Sequence, residues 1–354
     1  MIRVAWRQFR GQAAVGAIGI VLVAIVTALT GPHLAHLYDT TVATCGEHGD
    51  CSMARTTFLA NDNTLCTWLG ILVVVMPGII GLFWGAPLVA RELEAGTYRL
   101  VWTQSITRAR WLTVKFAMIC LASVMLAGIL SLLVTWWASP LDRAKGALYS
   151  TFDQRDIVPI GYAAFALALG VTVGLLVRRT VPAMAATLAV FVATLLTVAR
   201  WVRPHLITPT TEVLGLNPQT TGFGSANGGP FTLIPNPPNL PNTWIYSAQF
   251  VDKAGHALSA PYVASACRAL VVGAQAGRGG PAVAGHASRV VTPPGAQAQL
   301  QACFSKIGAT FHQVVVYQPS SRYWTFQWSE LGIYLGAALV LLGTCTWWIR
   351  HRLT

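Results

Sequence analysis

Charge is what this chain has least of. Only 10% of its 354 residues are charged, where a soluble domain carries roughly 25%, and just 12 are acidic and four are lysine. So few polar side chains cannot cover a water-exposed surface. With 54% hydrophobic residues and a mean hydropathy of +0.54, the chain reads as an integral membrane protein. Motifs for chemistry are missing as well. There is no G-x-x-x-x-G-K-[ST] loop to cradle a nucleotide phosphate, no H-E-x-x-H, no G-x-S-x-G and no C-x-x-C. A nucleotide site, a zinc protease, a serine hydrolase and a dithiol oxidoreductase are thereby unsupported, and neither catalysis nor a cofactor of its own is expected. His33 and His36 could share a helix face, but no third ligand lies near them in sequence, so no metal site is expected.

What is abundant is apolar sequence. Six stretches free of Asp, Glu, Lys and Arg are long enough to cross the hydrocarbon layer, which takes about 20 helical residues: 11–38, 63–90, 116–141, 157–177, 180–199 and 331–349. Barrel strands would be shorter and polar at every second position. The reading is an all-α bundle of six spans. The first could be taken for a secretory signal, but its apolar core is too long and no convincing cleavage site follows.

Basic residues set the orientation. The N-terminus (Arg3, Arg7, Arg10), the loop from Arg91 to Lys115, the turn Arg178-Arg179 and the tail (Arg350, Arg352) fall on one side if every span crosses, and together they hold half of the 24 basic residues. Both termini are therefore cytoplasmic, in a bacterial cell membrane. The net charge of +12 follows from this bias and from anionic lipid headgroups, so lipids are expected partners and nucleic acid is not. Residues 1–10 form an amphipathic helix, with the arginines on one face and Ile2, Trp6 and Phe9 on the other, suited to lying at the inner interface.

Residues 203–322 are the one large hydrophilic segment, an outer domain between spans five and six, expected to be small and mixed α/β or β-rich. NTWIYSAQFVDKAGHALS alternates like a hairpin around a DKAG turn, FHQVVVYQP reads as a strand, the Pro/Asn/Gly-rich first third as an irregular loop, and the segment around 274–297 as flexible. Of seven cysteines, Cys120 and Cys345 lie in spans. Cys267 and Cys303 are the only pair in the outer domain and are expected to bond; among Cys45, Cys51 and Cys66, the natural pair is Cys45 with Cys51.

Span two carries Pro77 and the small pair Gly81 and Gly85, and span four repeats the spacing with Gly170 and Gly174. Ordinary helix packing accounts for each pair, and a kinked pathway-lining helix is the alternative. Glu330 is an ionisable group at the outer end of span six. The aromatic residues around it place it near the headgroups, where a solvated role weighs as much as an intramembrane one.

Between spans two and three stands RELEAGTYRLVWTQSITRAR, residues 91–110, with six charged side chains. Gly96 can end the emerging helix, Thr97 can start a short one and Thr107 can cap the next. A short helix pushed out between two spans is built to dock on something in the cytosol. At these residues the sequence resembles the ABC-2 type permeases, whose first cytoplasmic loop reads R-E-x-E-x-G-T, an apolar turn, S/T-R and a downstream Lys. Here these are Arg91, Glu92, Glu94, Gly96, Thr97, then Leu100 and Val101, then Thr107, Arg108 and Lys115. Many relatives have proline where this chain has Ser105, and the long outer segment resembles that of actinobacterial members. The resemblance implies the membrane subunit of an ABC exporter: two such permease subunits, as homodimer or heterodimer, form the pathway, while separate ATP-binding subunits, carrying ATP and Mg, grip loop 91–112. The competing reading is a membrane-anchored sensor or binding protein whose outer domain meets a ligand.

Overall fold

A computed structural model describes residues 2–47, 51–94, 108–216, 221–224, 232–235, 242–268 and 296–351. The chain divides into a membrane unit, Met1–Ile207 with Ser321–Thr354, and an outer unit, Thr208–Ser320.

Among the described residues, six helical segments of the membrane unit are long and apolar enough to cross a bilayer. The first is α1, Ile2–Leu37, which carries the basic first ten residues and span one as one unbroken helix. No turn separates the two, because Gly11 alone costs only about 1 kcal/mol in a helix and stops nothing. Phe9 is buried there, edge-on to Trp84 at 4.9 Å. The expected loop 39–62 is largely helical. A π-helical segment, Tyr38–Ala43, and a 3-10 turn, Thr44–Glu47, continue α1, and α2 (Ser52–Ile80) begins well outside the membrane. Phe58 explains this early start: it buries against Tyr38 and the outer ends of spans two and three, which a free loop could not do. The Cys45–Cys51 disulfide joins the 3-10 segment to the residue that precedes α2.

Span two continues from α2 through a π-helical turn, Gly81–Gly85, into α3, Ala86–Glu94. Span three is α4, Arg108–Lys145. A buried 3-10 helix, Leu148–Gln154, then leads into α5, Val158–Val177, which is span four. Alanine and glycine recur along every face of α5, so neighbours approach closely from all sides, and 78% of its most apolar window is buried. It is the central post of the bundle. Span five is α6, Thr180–Thr197, extended by a π turn and the short α7, Arg203–Leu206.

Span six is α10, Tyr323–His351, eight residues longer at its outer end than the apolar stretch 331–349 suggests. The reason is that its first two turns are two-faced. Trp324 and Trp328, four apart, are exposed at 52% and 63%, while Tyr323, Phe326, Gln327 and Glu330 bury on the opposite face.

In the outer unit, β5 (Phe311–Gln318) is the centre of a three-stranded antiparallel sheet, flanked by β1 (Thr210–Leu214) and β4 (Trp244–Asp252). The irregular-loop expectation for the first third is corrected by β1 and by a separate hairpin of β2 (Thr221–Gly224) with β3 (Thr232–Pro235). The DKAG turn forms, with Gly255 at positive φ and Asp252 capping it. Its return arm, however, is a single bridge from Ala257 to Val251, and β4 instead runs its full length along β5. The stretch read as flexible, about 274–297, lies almost wholly outside the described residues.

Two helices, α8 (Ala260–Ala266) and α9 (Ala296–Gly308), cover a small core of Leu233, Phe250, Val263, Phe304, Ile307 and Phe311. The Cys267–Cys303 disulfide lies within it. Closing a 36-residue separation restricts the unfolded chain by roughly 4 kcal/mol in the chain-entropy picture. Cys267→Ser is therefore expected to destabilise the outer unit by about 3 kcal/mol and to reduce the mobility difference between oxidised and reduced protein on gels to what the short Cys45–Cys51 loop leaves. Identical mobility of wild type and variant without reductant would remove the bond.

Candidate functional site

The functional features of the membrane unit fall at three levels. At the arginine-rich end, α3 terminates in Glu94, whose carboxylate accepts hydrogen bonds from the Thr180 hydroxyl (2.7 Å) and the Thr180 backbone N–H (3.0 Å). Thr180 is the first residue of α6, and the residue before it, Arg179, supplies no side-chain cap. Glu94 therefore caps another helix: an anion is placed where the first N–H groups of span five lack partners and the helix dipole is positive. The Thr180 hydroxyl, then its N–H, then the charge of Arg179 hold the Glu94 carboxyl below the ordinary carboxylate range. A depressed pKa means that this clasp is complete above the ordinary pKa and weakens only as pH falls through the depressed value.

The turn that allows this is Arg178-Arg179. Arg178 adopts φ 57°, donates its N–H to Gly174 O at 3.1 Å, and reverses the chain in two residues. Of the other loop residues, Glu92 lies in α3 and Arg108 opens α4. Gly96, Thr97, Leu100, Val101 and Thr107 lie outside the described residues.

At mid-depth the two small-residue pairs meet. A Cβ on Gly81 would stand 2.6 Å from Ala166 O, one on Gly85 2.9 Å from Leu167 O, and one on Gly174 2.5 Å from Ala86 O. A Cβ on Gly170 would overlap the Gly81 carbonyl and stand 2.8 Å from Ala86 N. Spans two and four thus cross backbone to backbone, through the π turn that follows Pro77. Wide helical turns of this kind recur at functional positions.

At the outer end lies a buried ionic cluster. Glu330 is fully buried rather than solvated at the headgroups, and it receives two hydrogen bonds from the Arg203 guanidinium, one through Nε and one through Nη2 at 3.1 Å. Arg203 also pairs with Asp153 through both terminal nitrogens and lies 4.3 Å over the Phe152 ring. Tyr162 donates its hydroxyl to Asp153 Oδ1 at 2.7 Å. Beside them Gln327 accepts from Val158 N–H and donates to Phe152 O, while Tyr323 donates to Asp156 at 2.6 Å. Arg155 pairs with Asp142 at 3.1 Å.

This cluster ties the 3-10 helix, the end of span five and the start of span six together. Sequence reading found Glu330 but not Arg203, Asp153 or Tyr162. The available signal was the DQRD run, residues 153–156, directly before a span, and the arginines Arg200 and Arg203 at the end of span five. Among the described residues no group of three or more His, Cys, Asp or Glu side chains could hold a metal ion.

No curated protein and no solved structure matches the chain. A protein-family model described as ABC-2 membrane transporter related matches residues 17–203. That stretch is more than half of the chain, and runs from inside span one through the Glu94–Thr180 clasp and the glycine crossing to Arg203. The chain therefore belongs to the ABC-2 membrane transporter related family, as a multi-pass permease component of a bacterial membrane.

Proposed function

We propose that the protein is the membrane half of an ABC-2 exporter, which pairs with a second permease subunit and takes its motion from separate ATP-binding subunits seated on loop 91–112. The observation that carries this reading is the Glu94–Thr180 clasp. A push on the loop that leaves α3 reaches span five through the clasp, and span four through the glycine crossing, which extends from Gly81 to Ala86 at the start of α3. One docking site thereby addresses three spans, as conversion of nucleotide-domain closure into alternating access requires. ATP and Mg belong to the partner, consistent with a sequence that holds no phosphate loop.

The test uses the permease purified with its ATP-binding subunit and reconstituted in proteoliposomes. Replacing Glu94 and Arg108 with glutamine together is expected to leave insertion unchanged and to lower permease-dependent ATP hydrolysis about ten-fold, since the charge of the Thr180 cap and a cation of the loop are both lost. Undiminished hydrolysis would remove the coupling role. Failure of any ATP-binding subunit to co-purify with the wild type would shift the reading to a membrane-anchored sensor or binding protein.

A further inference from the structure

Near the arginine-rich ends of spans four and six lies a groove of about 340 Å³, toward the small end of the roughly 300–1,000 Å³ typical of ligand sites. Leu175 and Leu176 of α5 form one wall, and Trp347 and Trp348 of α10 form the other. Its floor is chemically closed. Cys345 Sγ donates to Thr172 Oγ1, Thr172 Oγ1 donates to Ala168 O at 2.7 Å, and Thr344 Oγ1 donates to Leu341 O at 2.6 Å. One polar atom stands apart: the indole Nε1 of Trp348 is buried and has no hydrogen-bond partner among the described residues. A buried donor of this kind marks a place where an acceptor is expected.

The surroundings narrow the choice of ligand. Leu176 and Trp347 are about half exposed, at 51% and 53%, so the groove opens sideways, where a membrane protein meets acyl chains rather than water. Within three residues of Leu175 and Leu176 the exposed Arg178 and Arg179 end span four. The distribution of basic residues assigns this end to the cytoplasmic leaflet. Apolar walls, one unsatisfied donor and two exposed arginines just beyond the end of α5 match, in order, an acyl chain, an ester or phosphate oxygen and an anionic headgroup. Basic pockets between spans on the cytoplasmic side are known to take such headgroups.

We infer that this groove is a binding site for one anionic phospholipid of the inner leaflet. Its acyl chain lies between Leu175–Leu176 and Trp347–Trp348, an oxygen accepts from Trp348 Nε1, and the phosphate faces Arg178 and Arg179. The same Arg178-Arg179 turn carries the Glu94–Thr180 clasp, so the site adjoins the coupling end of the bundle.

Native mass spectrometry of delipidated protein titrated with palmitoyl-oleoyl phosphatidylglycerol, and separately with the matching phosphatidylcholine, reads the site directly. The wild type is expected to retain one phosphatidylglycerol at least ten times more strongly than phosphatidylcholine. Arg178→Asn, which suits the left-handed backbone there, is expected to lower that preference about five-fold. Thr344→Trp, which fills the groove, is expected to lose the retained lipid. Should that variant not assemble, Trp348→Phe keeps an aromatic wall but loses the five-membered ring with its N–H, and is expected to weaken retention of both lipids about five-fold. Equal retention of the two lipids by the wild type would overturn the site. So would lipid held as firmly by an assembled Thr344→Trp, or by Trp348→Phe, as by the wild type.

Discussion

Replacing Arg203 with methionine is expected to destabilise the membrane unit by about 3–5 kcal/mol, the usual consequence of leaving buried charge unpaired. Glu330 has no exposed surface and takes two hydrogen bonds from Arg203. Without the guanidinium, Glu330 must take up a proton or drag water inward. Asp153 suffers less, because its side chain keeps about a third of its surface exposed and Tyr162 still donates to it. Thermal unfolding in detergent, followed by loss of monodisperse protein, should show an apparent midpoint lower by about 10 °C.

The second half of that prediction separates pairing from packing. Arg203→Met combined with Glu330→Met removes both charges and keeps similar volume, a change that is often neutral for a buried ion pair. The double variant is therefore expected to recover most of the loss seen in either single variant, a coupling of at least about 2 kcal/mol. Strict additivity of the two substitutions would refute the pair. The position of the cluster explains why its loss should be felt widely. Arg203 and Glu330 stand where the chain leaves the membrane unit for the outer unit and where it returns, and Asp153 joins both to the approach of span four.

The six spans were legible because hydrocarbon demands long uncharged runs, and that demand is local in sequence. The orientation rests on the same kind of local count. What required the structure was pairing between distant residues. Glu94 and Thr180 are 86 positions apart, and Arg203 and Glu330 are 127 apart; no periodicity connects them. Span six illustrates the difference within one element. YWTFQWSE looks like an interfacial belt when read by composition, yet read at helical spacing it has an exposed tryptophan face and a buried Tyr-Phe-Gln-Glu face. The same limit applied to β4. Its alternation was visible, but its main partner, β5, lies some sixty residues further on, beyond any hairpin. The small pairs of spans two and four were visible separately, while the contact between them is a tertiary fact.

Gly170→Ala tests that contact most sharply. The added Cβ would overlap the Gly81 carbonyl and stand 2.8 Å from Ala86 N. Both are backbone atoms, so relief requires the two helices to separate. Overpacking of this kind costs about 1–3 kcal/mol, occasionally more, and a branched side chain at Gly170 is expected to prevent assembly. The control is Gly336→Ala in span six, where a Cβ meets nothing within 4 Å. That change is expected to be neutral or to stabilise by up to about 1 kcal/mol through helix propensity. Equal midpoints for the two alanine variants would dismiss the crossing as a structural element.

Function should suffer beyond stability. A crossing without interlocked side chains lets one helix slide on another with little resistance, as shear motions need, and the Gly81–Gly85 π turn adjusts register within span two itself. Permease-dependent ATP hydrolysis by assembled Gly170→Ala protein is therefore expected to fall at least ten-fold at a temperature where the variant remains folded. Hydrolysis that merely tracks the remaining folded fraction would make the glycines packing residues and nothing more.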